Sequence, residues 1–98
     1  MELSEKIARG FQAKEILEAD IYVESYALLK QEITRQWQQS PARDSEGREK
    51  LYLMIGLLDK LQSLMQSTLE TGMLAMEQLK HNQSLLDKAK AYLRPSQY

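Results

Sequence analysis

Apolar residues recur along this chain at helical intervals. Tyr22, Tyr26, Leu29, Ile33 and Trp37 follow one another at steps of four, three, four and four, which marks one face of an α-helix. Leu28 and Ile21 widen that stripe, and Glu24, Lys30, Glu32 and Arg35 lie largely on the other side. Ile7, Phe11 and Leu17, joined by Ala8 and Ala13, give a sparser stripe ahead of it. The pattern predicts a first helix over 4–18, with Ser4 as its cap and Glu5 in the first turn, where the helix dipole favours a negative charge. Gly10 weakens this helix by roughly 1 kcal/mol relative to alanine. A second helix follows over 20–38 with Asp20 as its candidate cap, and Ala19-Asp20 is only a weak interruption between the two. Ser40-Pro41 is a firmer stop, because the residue before proline is biased away from helical geometry. Residues 39–44 read as a loop.

The second half is the most regular. Asp44 or Ser45 caps a third helix, and Leu51, Leu58, Met65, Gly72, Leu79, Leu86 and Leu93 then recur every seven residues. Ile55, Leu69 and Met76 stand four residues after members of that series, so the whole is a heptad seam of coiled-coil type. An unbroken helix to Leu93 would be on the order of 70 Å long. The polar run Lys80-His81-Asn82-Gln83-Ser84 reads as an interruption, with Ser84 capping a final short helix. The expectation is therefore a long helix over 45–80, a short one over 84–93, and a tail over 94–98. Gly72 either admits a close helix neighbour or marks a mild kink.

Between Leu51 and Leu61 the apolar residues do not stay on one side. Leu51, Ile55 and Leu58 face one way, Leu53, Leu57 and Leu64 form a second stripe, and Tyr52, Met54 and Leu61 lie between. A helix apolar nearly all round must be surrounded. Two short helices with about five apolar residues each cover one face, and a second copy of the chain is the economical cover for the rest. Leu53, Leu57, Leu64, Met65 and Met76 are the expected self-association residues. Trp37, Tyr26, Ile33, Leu51, Ile55 and Leu58 are the expected core anchors. The competing arrangement is a monomeric three-helix bundle whose core straddles two faces. In fold class the chain reads as all-α, a single-domain helical bundle or hairpin with a long helix in its C-terminal half, and as an oligomer.

Composition removes most chemistry from consideration. The 98 residues contain no cysteine, so disulfides and thiolate chemistry are absent. One histidine without a histidine–carboxylate cluster disfavours a zinc enzyme, and neither a cofactor nor a metal is expected. No Walker loop, dinucleotide fingerprint or nucleophile elbow occurs. His81, with Glu77 one turn earlier, reads as a surface pair. Asp44, Glu46 and Glu49 are interleaved with Arg43, Arg48 and Lys50 and read as capping and local ion pairs, with Arg48 and Glu49 able to tie the loop to the second helix. A net charge of −1 without a basic patch makes nucleic acid an unlikely partner. No apolar run is long enough for a membrane span.

The stretch from Trp37 to Leu51, Trp-Gln-Gln-Ser-Pro-Ala-Arg-Asp-Ser-Glu-Gly-Arg-Glu-Lys-Leu, resembles a group of small, mostly uncharacterised helical proteins encoded by tailed bacteriophages. Leu57-Leu58-Asp59-Lys60-Leu61 and Leu69-Glu70-Thr71-Gly72-Met73-Leu74-Ala75 extend the likeness, which spans about residues 7 to 80. It carries no catalytic motif and transfers no functional residue. It implies a phage or prophage source, a place in the host cytoplasm or the virion, and an accessory or assembly role. The expected function is a non-enzymatic protein that self-associates and works by protein contact in head, neck or packaging assembly, with a phage structural protein or a host protein as partner. Inhibition of a host defence enzyme by the weakly acidic first 40 residues is the alternative, and packaging-related nucleic-acid binding a third.

Overall fold

The computed structural model describes residues 1–93. Three helices account for nearly all of them: α1 (Leu3–Glu18), α2 (Asp20–Gln39) and α3 (Ser45–Leu93). Together α1 and α2 form one arm of an antiparallel hairpin and α3 the other. Gly10 lies against Gly72, Tyr22 reaches Gln62, Tyr26 reaches Asp59 and Arg48 reaches Trp37, so numbers rise along one arm as they fall along the other. The molecule is a rod of 87 × 25 × 16 Å.

Local chemistry explains where the helices stop. Ala19 adopts extended backbone (φ −66°, ψ 127°) and separates α1 from α2, its N–H donating to the Ile16 carbonyl at 3.2 Å. The two helices therefore do not merge. Asp20 is the first residue of α2 and Ser4 lies inside α1; neither is a cap, and no side chain caps either helix start. At the end of α2, Ser40 turns extended (φ −68°, ψ 141°) ahead of Pro41, and its hydroxyl donates to the Trp37 carbonyl at 2.6 Å. Asp44 caps α3, its Oδ1 accepting the Gly47 N–H at 3.1 Å.

One expectation is overturned: α3 runs unbroken through Lys80-His81-Asn82-Gln83-Ser84, and the separate helix over 84–93 is its continuation. None of these residues breaks a helix as proline does, and all are exposed, so polarity there costs nothing. Gln78 Nε2 donates to Asn82 Oδ1 at 3.4 Å across one turn. The expected tail over 94–98 lies outside the described residues.

The heptad seam is the inner face of the hairpin as far as Met76 and is open thereafter. Leu51, Ile55, Leu58, Met65, Leu69 and Met76 are half-buried, and Gly72 is fully buried. From Glu77 to Leu93 every residue is exposed, because α3 continues past the level at which α1 begins. The core is thin. Ala13, Ile33 and Ala75 are its only buried hydrophobic residues among those described, with Gly10 and Gly72 beside them.

The two arms touch in different ways. Where α1 crosses α3, Gly10-Phe11-Gln12-Ala13 faces Gly72-Met73-Leu74-Ala75, and the small residue at each end of both segments is buried. A Cβ on Gly10 would stand 2.8 Å from the Gly72 Cα, and one on Gly72 would stand 2.7 Å from the Gly10 Cα and 2.9 Å from the Lys6 carbonyl oxygen. These neighbours are backbone and cannot swing away. Gly72 thus admits a close neighbour, and the Gly10 that weakens α1 locally is what lets it dock.

Candidate interaction surface

Along α2 the contact with α3 is made by large side chains and braced by polar groups. The Tyr26 hydroxyl donates to Asp59 Oδ1 at 2.7 Å and Lys30 Nζ donates to the same oxygen at 2.9 Å. The Tyr22 hydroxyl donates to Gln62 Oε1 at 3.0 Å. The hydrogen bond from Tyr26, helped by Lys30, holds the Asp59 carboxyl below its usual range. The same bond, with burial and the charge of Asp59, pushes the Tyr26 phenol up to about 12. These groups fix the register of two helices.

At the loop, Arg48 donates through Nη1 to the Trp37 carbonyl (3.1 Å), the Ser40 carbonyl (3.0 Å) and the Ser40 hydroxyl (2.9 Å), and its guanidinium stacks 4.7 Å from the Trp37 ring. Arg48 therefore ties the loop to α2; Glu49 is exposed. Of the expected core anchors, Ile33 is buried (5% exposed), while Trp37, Tyr26, Leu51, Ile55 and Leu58 are half-buried on the inner face.

The five expected self-association residues divide into two sets. Leu57, Leu64 and Leu53 are 68%, 58% and 55% exposed, turned away from the hairpin core. Met65 and Met76 are half-buried on the intramolecular seam. Met65 lines a groove of about 350 Å³ with Ala13, Ile16, Leu64 and Thr68. Met76 lines another of about 380 Å³, on the opposite flank, with Phe11 and Met73.

Helical phase defines the surface the leucines belong to. Met54, Leu57, Leu61 and Leu64 each stand one residue before an inner-seam position of α3, and all four are exposed. Ile16, Ile21 and Leu28, also exposed, each stand one residue before Leu17, Tyr22 and Leu29 on the stripes of α1 and α2. In an antiparallel pair, residues that precede the seam on both helices fall on the same side. The shared groove of Ile16 and Leu64 places them there directly. One flank of the hairpin therefore carries an apolar strip drawn from all three helices, with Ser25 between Ile21 and Leu28. The sequence singled out Leu57 and Leu64 of its α3 part; Met54 and Leu61 were not among the expected contact residues, and Leu53, two residues before the seam, lies off the strip. The sequence also missed the α1 and α2 part, whose signal is the one-residue offset from the inner stripe.

Elsewhere the surface carries little that points to chemistry. His81 and Glu77 are both exposed on α3, with no bond between them. Among the described residues no three His, Cys, Asp or Glu side chains come close enough to hold a metal ion, and no helix is long and apolar enough to cross a membrane. Glu32, on the surface of α2, is drawn down to about 2 by hydrogen bonds from Arg35 and Gln36 on its own helix. No protein-family model, curated protein or solved structure matches the chain.

Proposed function

We propose that this chain is a non-enzymatic assembly protein that acts by self-association, its hairpins joining through the strip that carries Leu57 and Leu64. The observation behind this reading is the exposure of those leucines. A hairpin that has already filled its inner face still presents Met54, Leu57, Leu61 and Leu64 to water in heptad phase. Contiguous apolar surface of this kind marks a contact site, and a heptad-spaced strip suits another helix. In the setting implied by the resemblance to small phage proteins, the role is that of an accessory or structural subunit in head, neck or packaging assembly.

Sedimentation tests the reading. The wild-type chain is expected to run at a multiple of 11.4 kDa. Leu57→Asp combined with Leu64→Asp is expected to run at the single-chain mass with unchanged helix content, since both side chains lie outside the hairpin core. A wild-type chain that stays at the single-chain mass at millimolar concentration overturns the proposal.

A further inference from the structure

Two features of the molecule are unmatched within it. One is the apolar strip on the hairpin flank. The other is the last part of α3, which extends beyond α1 as an exposed helix carrying Leu85, Leu86, Ala89, Tyr92 and Leu93. They share a helical phase. Met54, Leu57, Leu61 and Leu64 continue at alternating steps of three and four through Thr68, Thr71, Ala75, Gln78 and Asn82 to Leu85, Ala89 and Tyr92. The strip and the projecting segment are two ends of one heptad line with a small, polar middle, in which Ala75 is already covered by α1.

A heptad line reads the same in both directions, so it can pair with itself antiparallel. In the register centred near Met73, Leu61 lies opposite Leu85 of a second copy, Leu57 opposite Ala89 and Met54 opposite Tyr92. Three of the four apolar strip positions of α3 meet an apolar partner, Leu64 falls opposite Asn82, and the small and polar residues of the middle meet one another. We infer that the exposed C-terminal part of α3 in one copy is the helix that covers the apolar strip of another, the two copies exchanging these segments about a twofold axis. The inference rests on the self-association reading and adds its occupant and direction.

The second apolar face of the projecting segment supports this. Leu79, Leu86 and Leu93 continue the inner seam but have no helix beside them among the described residues. In the antiparallel register they turn toward the arm formed by α1 and α2. Leu86 then lies near the level of Tyr26, within a turn of the exposed Leu28, and Leu79 near that of Leu17, one turn from the exposed Ile21. The segment fits between the two arms as a third helix, contacting α3 with one face and α2 with the other. The exposed apolar side chains of the strip and those of the projecting segment are thereby covered together.

The absence of cysteine makes the test clean. Leu61→Cys and Leu85→Cys full-length chains are prepared separately, mixed and oxidised. The expected product is a disulfide-linked pair that forms in the mixture and not in either preparation alone. Gln31→Cys, on the opposite side of α2 beside Tyr26 and Lys30, is expected not to link to Leu85→Cys. Leu85→Asp with Leu86→Asp, both exposed in the protomer, should weaken association at least tenfold. An oligomer that links Leu61→Cys to itself, or that ignores the two aspartates, overturns the exchange and leaves self-association standing. A chain that is monomeric throughout overturns both.

Discussion

The two halves of the hairpin hold α3 by opposite means. Around Gly10 and Gly72 the helices meet backbone to backbone, and the side chains between them are glycine and alanine. From Tyr22 to Trp37 they are held apart by tyrosine, isoleucine and tryptophan, and bridged by hydrogen bonds to Asp59 and Gln62. The first contact gains from close approach and tolerates no added atom. The second gains from buried side-chain area and polar bracing, and it tolerates adjustment. The extended Ala19 between them lets one arm follow both spacings.

The comparison is broken most severely at the glycine contact. Gly72→Leu is expected to cost about 3 kcal/mol, the upper end for overpacking, because its Cβ alone meets the Gly10 Cα. The improved helix propensity of leucine returns roughly 1 kcal/mol at most. Urea unfolding followed by circular dichroism measures this, and wild-type stability in the variant would refute the close contact. At the other contact, Ile33→Ala removes the one buried large side chain of α2 and is expected to cost about 2 kcal/mol, the low end for such truncations in a thin core. Thermal unfolding reports it, and a loss as large as that of Gly72→Leu would erase the distinction between the two contacts.

The smallest effect comes from the polar brace and is a pH dependence. Asp59 titrates below its usual value in the folded chain, so its contribution is complete above about pH 4 and is lost as pH falls through that lowered value. Tyr26 is raised to about 12, so its contribution is complete below about pH 10 and is lost as pH rises toward 12. Asp59 and Lys30 are about half exposed, and water screening keeps the effect small. Urea midpoints should form a plateau between the two limits and fall at both ends. Tyr26→Phe should remove the alkaline fall and reduce the acid one; an unaltered alkaline fall would assign it to other groups.

Much of the architecture was legible in the apolar spacing. The four-three steps from Tyr22 to Trp37 and the sevenfold series from Leu51 gave the helices, and Ser40-Pro41 with Asp44 gave the turn. The polar run near His81 is a misleading signal, because polarity alone does not break a helix. A helix with water on every side needs no apolar face, only residues that do not oppose it. Gly10 read as a weakness because propensity counts a residue alone. Its value appears only beside Gly72, and the matching Gly-x-x-Ala segments were the available signal. The exposure of Leu57 and Leu64 was readable from their one-residue offset to the inner seam, and that of Leu53 from its place on the far side of α3. Met65 and Met76 were not separable from these leucines, since methionine suits both a core and a contact surface.

The sequence by itself determined that the chain is helical, where it turns, and that α3 carries more apolar surface than two short helices can cover, because periodicity and composition are properties of the line of residues. Only the tertiary structure decided which apolar face α1 and α2 take, how far along α3 they reach, and which leucines remain in water. Those follow from register, and register is set by contacts between residues far apart in the chain: Gly10 against Gly72 at one end, Tyr26 on Asp59 midway, and Arg48 over Trp37 at the turn.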